Sequence, residues 1–286
     1  MSESGSGSES VPGPGAGGAV IRMLTAGSGE LDDDALWQLY APTPRDSPVL
    51  RVNLVQSLDG SATVQGLSGG LGGPADKRVF DTLRALADVV LVGAGTARAE
   101  GYGALTATPE HRARRRALGL PQDPAMALVS GRLDLDPASA LFAEAPRRPL
   151  VFTTSGAPAD ARSRLAEVAD VVEAGTGHVD PALVLRELHA RGLAQILCEG
   201  GPSFFGDCIA AGLVDELCLT ISPVLEGGHG PRIATAPRNG SVEDDGGDGA
   251  VGDARVPLGF ELGHIAASGG LLLTRWVRRD DDGRSA

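Results

Sequence analysis

Val89-Val90-Leu91-Val92-Gly93-Ala94-Gly95-Thr96 is an apolar, β-branched run that ends directly in a glycine turn. It reads as a strand buried on both faces, because a half-exposed strand would alternate with polar residues. Ile196-Leu197-Cys198-Glu199-Gly200-Gly201-Pro202-Ser203 repeats the device further along the chain. A parallel strand that ends in glycine and opens a helix lets backbone N–H groups approach an anion closely, and the helix N-terminus adds favourable partial charge. A dinucleotide carries enough phosphate to use both turns. Glycine is common at any strand-to-helix turn, so neither is specific by itself.

Working outward, short β-rich runs alternate with helical patterns from Val49 onward. Strands are expected at 49–55, 89–92, 126–129, 150–153, 168–172, 196–198 and 217–221, with helices at 75–86, 181–190 and 202–211 among them. Such alternation predicts an α/β fold with a mostly parallel sheet and helices on both faces. Residues 260–265 and 271–277, joined by Ser268-Gly269-Gly270, predict a C-terminal antiparallel hairpin at the sheet edge. Acidic residues followed by Leu36, Leu39 and Tyr40 at helical spacing predict a short helix ahead of the first core strand. One domain is expected over residues 20–279. Residues 1–19, rich in Ser, Gly, Glu and Pro, and residues 280–286 read as tails, and the acidic, glycine-rich stretch 241–254 reads as a mobile loop.

The 286 residues suffice for one sizeable core, and 42% are hydrophobic. No apolar run approaches the roughly 18 residues of a membrane span, and the polar start lacks the order of a signal peptide, so a cytoplasmic protein is expected. A net charge of −12 argues against nucleic acid or an anionic membrane as partner. Much of that charge lies in segments that read as unfolded, Glu243-Asp244-Asp245 and Asp280-Asp281-Asp282, so a site need not feel it beyond a Debye length of about 8 Å and local arginines can dominate there. Cys198, Cys208 and Cys218 lack Cys-x-x-Cys spacing, so buried reduced thiols and no metal site are expected.

A third segment, Arg51-Val52-Asn53-Leu54-Val55-Gln56-Ser57-Leu58-Asp59-Gly60, is a strand ending in Ser-Leu-Asp-Gly. That element is followed in order by Leu83-Arg84-Ala85, Val92-Gly93-Ala94-Gly95-Thr96, Glu199-Gly200-Gly201-Pro202 and Ala211-Gly212-Leu213-Val214-Asp215-Glu216-Leu217. The set, over roughly residues 48 to 232, resembles the pyrimidine reductase family, the reductase domain of riboflavin biosynthesis, which has a dihydrofolate reductase-like fold. The resemblance implies an NADPH-dependent reductase that delivers hydride to the sugar C1′ of an open-chain imine, as in 5-amino-6-(5-phosphoribosylamino)uracil reduction, and a homodimer. The His-x-Glu and Pro-Cys-x-x-Cys zinc motifs of the deaminase half of bifunctional enzymes are absent, which implies a stand-alone reductase.

In an open parallel sheet, ligands bind beyond the carboxyl ends of the strands, where each of these motifs begins. Gly93, Gly95 and Thr96 would meet the cofactor's pyrophosphate or ribose, and Gly200, Gly201, Pro202 and Ser203 would supply a second set of donors. Ser130 and Arg132 suit the extra 2′-phosphate of NADPH, with Arg98 as a second anion partner; Arg132 could equally be a solvated loop residue. Val55 and Glu100 complete the expected cofactor set. Ser68, Arg84 and Glu199 match family positions that contact substrate, and Asn53 would suit amide and amino edges of a ring. Asp59 is the first choice for assisting tautomerisation or proton delivery and Glu199 the second, although Asp before Gly also favours turns and Arg84 could be an ion-pair partner.

Two departures bear on the substrate. Asn53 stands where bifunctional enzymes often carry Lys, and Ala99-Glu100-Gly101-Tyr102-Gly103-Ala104-Leu105 lacks the arginine that suits the substrate phosphate. Losing one charge-assisted hydrogen bond costs about 1.5–3 kcal/mol. Rival readings are therefore a dihydrofolate or dihydropterin reductase, and an NADPH-binding regulator without catalysis.

Overall fold

The computed structural model describes residues 20–24, 29–42, 44–235 and 257–279. In chain order the strands are β1 (Arg22–Met23), β2 (Val49–Gln56), β3 (Val89–Gly93), β4 (Ala125–Val129), β5 (Leu150–Thr153), β6 (Asp170–Glu173), β7 (Gln195–Cys198), β8 (Glu216–Ile221), β9 (Phe260–Ser268) and β10 (Leu271–Arg278). They form one sheet of order β1-β9-β10-β8-β2-β7-β3-β4-β5-β6. From β8 to β6 every pairing is parallel, while β10, β9 and β1 add on in antiparallel fashion. The helices are α1 (Asp33–Tyr40), α2 (Pro74–Leu86), α3 (Ala94–Ala99), α4 (Pro109–Ala117), α5 (Ala140–Ala143), α6 (Ala159–Ala166), α7 (Pro181–Ala190) and α8 (Pro202–Ala210).

β3 explains why the sheet carries helices on both faces. Val89, Val90, Leu91 and Val92 are all fully buried, which contributes roughly 1.5–3 kcal/mol per side chain. Val90 and Val92 pack in the core beneath α1 and α2, whereas Val89 and Leu91 pack in the core beneath α7 and α8. α2 starts with Pro74 at its first turn and turns Val79, Leu83 and Leu86 to the sheet at helical spacing. In α7, Asp180 caps the N-terminus by accepting the N–H of Ala182. The β9–β10 hairpin turns on Gly269 and Gly270, with φ of +56° and +88°, the left-handed pair that a two-residue hairpin turn requires.

The expected α/β architecture is therefore present, with three local differences. β6 begins at Asp170 because the N–H groups of Val168 and Ala169 bond back to the Leu165 carbonyl and extend the end of α6. The hairpin is not outermost, since two-residue β1 pairs with β9. α4 has no apolar face: its buried residue is Arg115, whose guanidinium donates to the carbonyls of Ala85, Ala87 and Pro121. The tails 1–19 and 280–286 and the acidic stretch 241–254 lie outside the described residues. Among the described residues, no helix is long and apolar enough to cross a membrane and no group of three or more His, Cys, Asp or Glu gathers as a metal site. The three cysteines are buried, and burial pushes the Cys198 and Cys218 thiols up to about 12.

Candidate active site

A crevice of about 1390 Å³ opens at the carboxyl ends of β2, β3, β4 and β7. Clefts for one small molecule usually measure about 300–1,000 Å³, so this one has room for two ligands side by side. Its centre is made by the two glycine turns, which touch. β3 and β7 are neighbours, the Gly93 N–H donates to the Gly200 carbonyl at 3.1 Å, and a Cβ added to Gly201 would lie 3.1 Å from the Gly93 Cα. Gly200 and Gly201 have φ of +92° and +93°, and Gly201 caps α8, with Pro202 in the first turn. Gly95 faces open space: a Cβ there would meet nothing within 4 Å. Thr96, Pro202 and Ser203 also line the crevice. An anion could thus approach the free backbone donors at the start of α8 without side-chain obstruction.

The floor of the crevice carries a fixed carboxylate. Glu199 follows β7, with a side chain 2% exposed, and accepts from Arg84 Nε at 2.6 Å and from Nη2 at 2.7 Å. Tyr102 donates its hydroxyl to the same carboxylate at 2.7 Å. Burial and the adjacent Glu199 charge push the Tyr102 phenol up, so it stays protonated and donates. The guanidinium of Arg84 lies 4.0 Å from the centre of the Phe80 ring and 5.2 Å from that of Tyr102. Arg84 itself does not line the crevice; it stands behind Glu199 as its ion-pair partner.

Asp59, the first-choice carboxylate, lies outside the crevice lining and is exposed. It accepts from the Ser57 hydroxyl and from the backbone N–H groups of Glu226 and Gly227, the latter two at 3.1 and 2.8 Å. Ser57-Leu58-Asp59-Gly60 is a tight turn, with Gly60 at φ +85°, that clamps the segment after β8. The Ser57 hydroxyl, then the Gly227 and Glu226 donors, hold the Asp59 carboxyl down from 3.8 to about 2. Because the folded value is depressed, its contribution to stability is complete above the unfolded value and disappears as pH falls through the folded one. Asp59→Asn should therefore keep turnover near wild type while flattening the acid limb of the stability curve between about pH 5 and 2. Thermal unfolding across that range checks this; a drop in turnover of about 10²-fold would instead return the carboxylate to the chemistry.

The other expected residues sit at the crevice. Asn53 and Val55 point from β2, and the buried Asn53 amide has no side-chain hydrogen bond among the described residues. Glu100 accepts the Ser68 N–H at 2.8 Å, so it orders the 3₁₀ turn Ser68–Gly70 at the rim. Ser130 is buried at the end of β4, and Arg132, just beyond it, is exposed without an ion-pair partner among the described residues. Arg98 also lines the crevice but pairs with Asp134 at 3.3 Å. Sequence reasoning missed Tyr102, His178 from the segment before α7, and Asp76 and Lys77 on the first turns of α2. Asp76 had a signal of its own, a carboxylate two residues after the Pro that opens a helix, but that is also where helix dipoles favour acids.

Residues 48–242 match the RibD C-terminal domain. The chain belongs to the RibD C-terminal domain family. It is 29% identical over 183 residues to a 2,5-diamino-6-ribosylamino-4(3H)-pyrimidinone 5′-phosphate reductase of Archaeoglobus fulgidus, covering 64% of this chain and 83% of that one. It is 30% identical over 175 residues to the riboflavin biosynthesis protein RibD of Mycobacterium tuberculosis, covering 60% of this chain but 41% of that longer protein. Among solved structures, it superposes on a pyrimidine reductase-like protein of Corynebacterium diphtheriae with a TM-score of 0.75 at 29% identity, over 88% of this chain and 100% of that one. The fold is that of the RibD reductase domains, which is dihydrofolate reductase-like.

Within this RibD C-terminal domain one of the two departures takes a spatial form. Asn53 removes a cation from β2, yet Lys77 reaches the crevice from α2, where its ammonium pairs with Asp81 at 2.7 Å. A lysine thus lines the crevice from α2. Its side chain is 72% exposed, so it can turn toward an anionic ligand at little cost.

Proposed function

We propose that the chain reduces the ribosylamino side chain of a pyrimidine 5′-phosphate, with NADPH as the hydride source. The observation that carries the reading is the contact between the two glycine turns beside a carboxylate-floored crevice large enough for two ligands. The oxidoreductase assignment rests on the family and on relatives named as pyrimidinone phosphate reductases, and such a reductase requires a nicotinamide cofactor. The residues present fit that group: a side chain at Gly93 or Gly201 would strike the opposite turn, and the space beside Gly95 is open. Gly93, Gly95, Thr96 and the start of α8 would hold the pyrophosphate, and Ser130 with Arg132 the 2′-phosphate. When bound, the cofactor supplies the hydride.

The protein's own contribution is electrostatic and geometric. Glu199 is fixed by Arg84 and Tyr102, so its charge needs no reorganisation when positive charge develops nearby, and positioning alone can supply several kcal/mol of barrier reduction. Lys77 is the group we assign to the substrate phosphate. Asn53 faces the ring. We also propose a homodimer in the cytoplasm.

NADPH should raise the melting temperature well above the shift given by NADH, because only NADPH offers a phosphate to Ser130 and Arg132. Arg132→Ala should weaken NADPH by about 1.5–3 kcal/mol, the scale of a charge-assisted hydrogen bond, and leave NADH nearly unchanged. Equal shifts from the two cofactors would remove β4 from the adenosine end. Tight NADPH binding without turnover of either a pyrimidine phosphate or a dihydropterin would mark a regulator.

A further inference from the structure

Five carboxylates line the crevice wall, and four of them are tied to a cation, a backbone N–H or another partner. Glu199 is held by Arg84 and Tyr102, Glu100 by the Ser68 N–H, Asp134 by Arg98, and Asp207 has a partner of its own. Asp76 differs. It lines the crevice from the first turn of α2, has no ion-pair partner among the described residues, and is engaged by the hydroxyl of Thr220 on β8. Burial raises its carboxyl above the usual range, an effect the Thr220 hydroxyl partly offsets. Its Oδ2 lies against Gly72, where an added Cβ would come within 2.6 Å. Thr220 is the register partner of Val55, and Asn53 lies two residues back on the same face of β2. A carboxylate and an unpaired amide, both half-buried or buried, thus share one wall.

We propose that Asp76 is the residue that recognises the pyrimidine ring, by accepting two N–H bonds from a 2-amino-4-oxopyrimidine edge, and that it thereby excludes the 2,4-dioxo ring. This deepens the reductase reading and rests on it for the presence of a pyrimidine. A carboxylate accepts at both oxygens and donates at neither, so it matches an exocyclic amino group beside a ring N–H. A 2-oxo ring would set a carbonyl against it and leave a half-buried charge unpaired. Sites built on such matched groups discriminate strongly, because the wrong ligand leaves polar atoms unsatisfied. Asn53 is free to read the remaining polar edge.

The test is calorimetric titration of the full chain, saturated with NADP⁺, against two ring probes that differ at one position: 2,5,6-triamino-4-oxopyrimidine and 5,6-diamino-2,4-dioxopyrimidine. Wild type should prefer the 2-amino ring by about 10²-fold. Asp76→Asn, whose amide offers one acceptor and one donor, should abolish or reverse that preference, with its melting curve as the fold control. Gly72→Ala keeps the carboxylate in the chain but displaces it, and should lessen the preference even if Asp76→Asn does not fold. No preference in wild type, or an unchanged preference in whichever variants fold, overturns the proposal. A parallel assay with NADPH and the ribosylamino phosphate separates the two readings: ring discrimination without turnover upholds the role of Asp76 and overturns the reductase.

Discussion

Glu199→Gln should both destabilise the protein and lower kcat/KM by about 10²-fold or more, a loss comparable to removing a preorganised charge from an active site. The substitution is nearly isosteric, so the effect is electrostatic. Arg84 would face a neutral amide that cannot accept at both of its former positions, and Tyr102 would lose its ionic acceptor. Breaking a buried pair by neutralising one partner costs about 3–5 kcal/mol, because the other charge remains without compensation. Arg84→Met should cost a similar amount for the complementary reason, since Glu199 is the more deeply buried of the two. The double substitution should cost clearly less than the two singles added together, as contacting residues are not additive. Denaturant unfolding of the four proteins measures that coupling. Additive losses would mean that the pair is not acting as a unit.

Gly201→Ala should have the second large effect, and Gly95→Ala provides its control. At Gly201 the backbone is in the left-handed region and the new Cβ would press on backbone, the Gly93 Cα at 3.1 Å, so neither turn can yield without separating β3 from β7. The left-handed conformation alone costs an L-residue about 1–2 kcal/mol. Stability and cofactor affinity should fall together. At Gly95, inside α3, Ala meets nothing within 4 Å and improves helix propensity by up to about 1 kcal/mol. Its methyl would instead occupy the open space that we assign to the cofactor, so affinity should fall while the melting temperature holds or rises. Retained NADPH affinity in Gly95→Ala would show that the cofactor does not approach that turn.

The contrast between these glycines shows what a single sequence conveys and what it does not. β3 and β7 were legible because a strand buried on both faces has no choice but an unbroken apolar run, and the glycines after them mark where backbone must come close. That the two turns touch each other was not legible, since adjacency of β3 and β7 is a property of strand order. Asp59 reads two ways in the sequence for a related reason. An Asp-Gly step has the same appearance whether its carboxylate meets a ligand or braces a turn, and here the deciding donors come from Glu226 and Gly227, 167 and 168 residues away. Arg84 was read both ways, and its packing against Phe80, Tyr102 and Glu199 favours the ion pair. Asp76 and Lys77 escaped notice because charged residues at a helix start are ordinary, and only the packing of α2 on the sheet brings them to the crevice. α4 lacked an apolar stripe altogether, and β1 is too short to produce a period.

If the two glycine turns and the carboxylate-floored crevice form one reductase site, the purified chain must turn over cofactor and sugar together. The most direct test is to incubate the purified full chain with NADPH and 2,5-diamino-6-ribosylamino-4(3H)-pyrimidinone 5′-phosphate, following NADPH absorbance and the sugar by mass spectrometry. One NADPH should be oxidised for each ribosyl group converted to ribityl, at a rate lowered about 10²-fold or more in Glu199→Gln at equal protein concentration. Binding of both ligands with no NADPH consumed, or consumption that leaves the sugar unchanged, would contradict it.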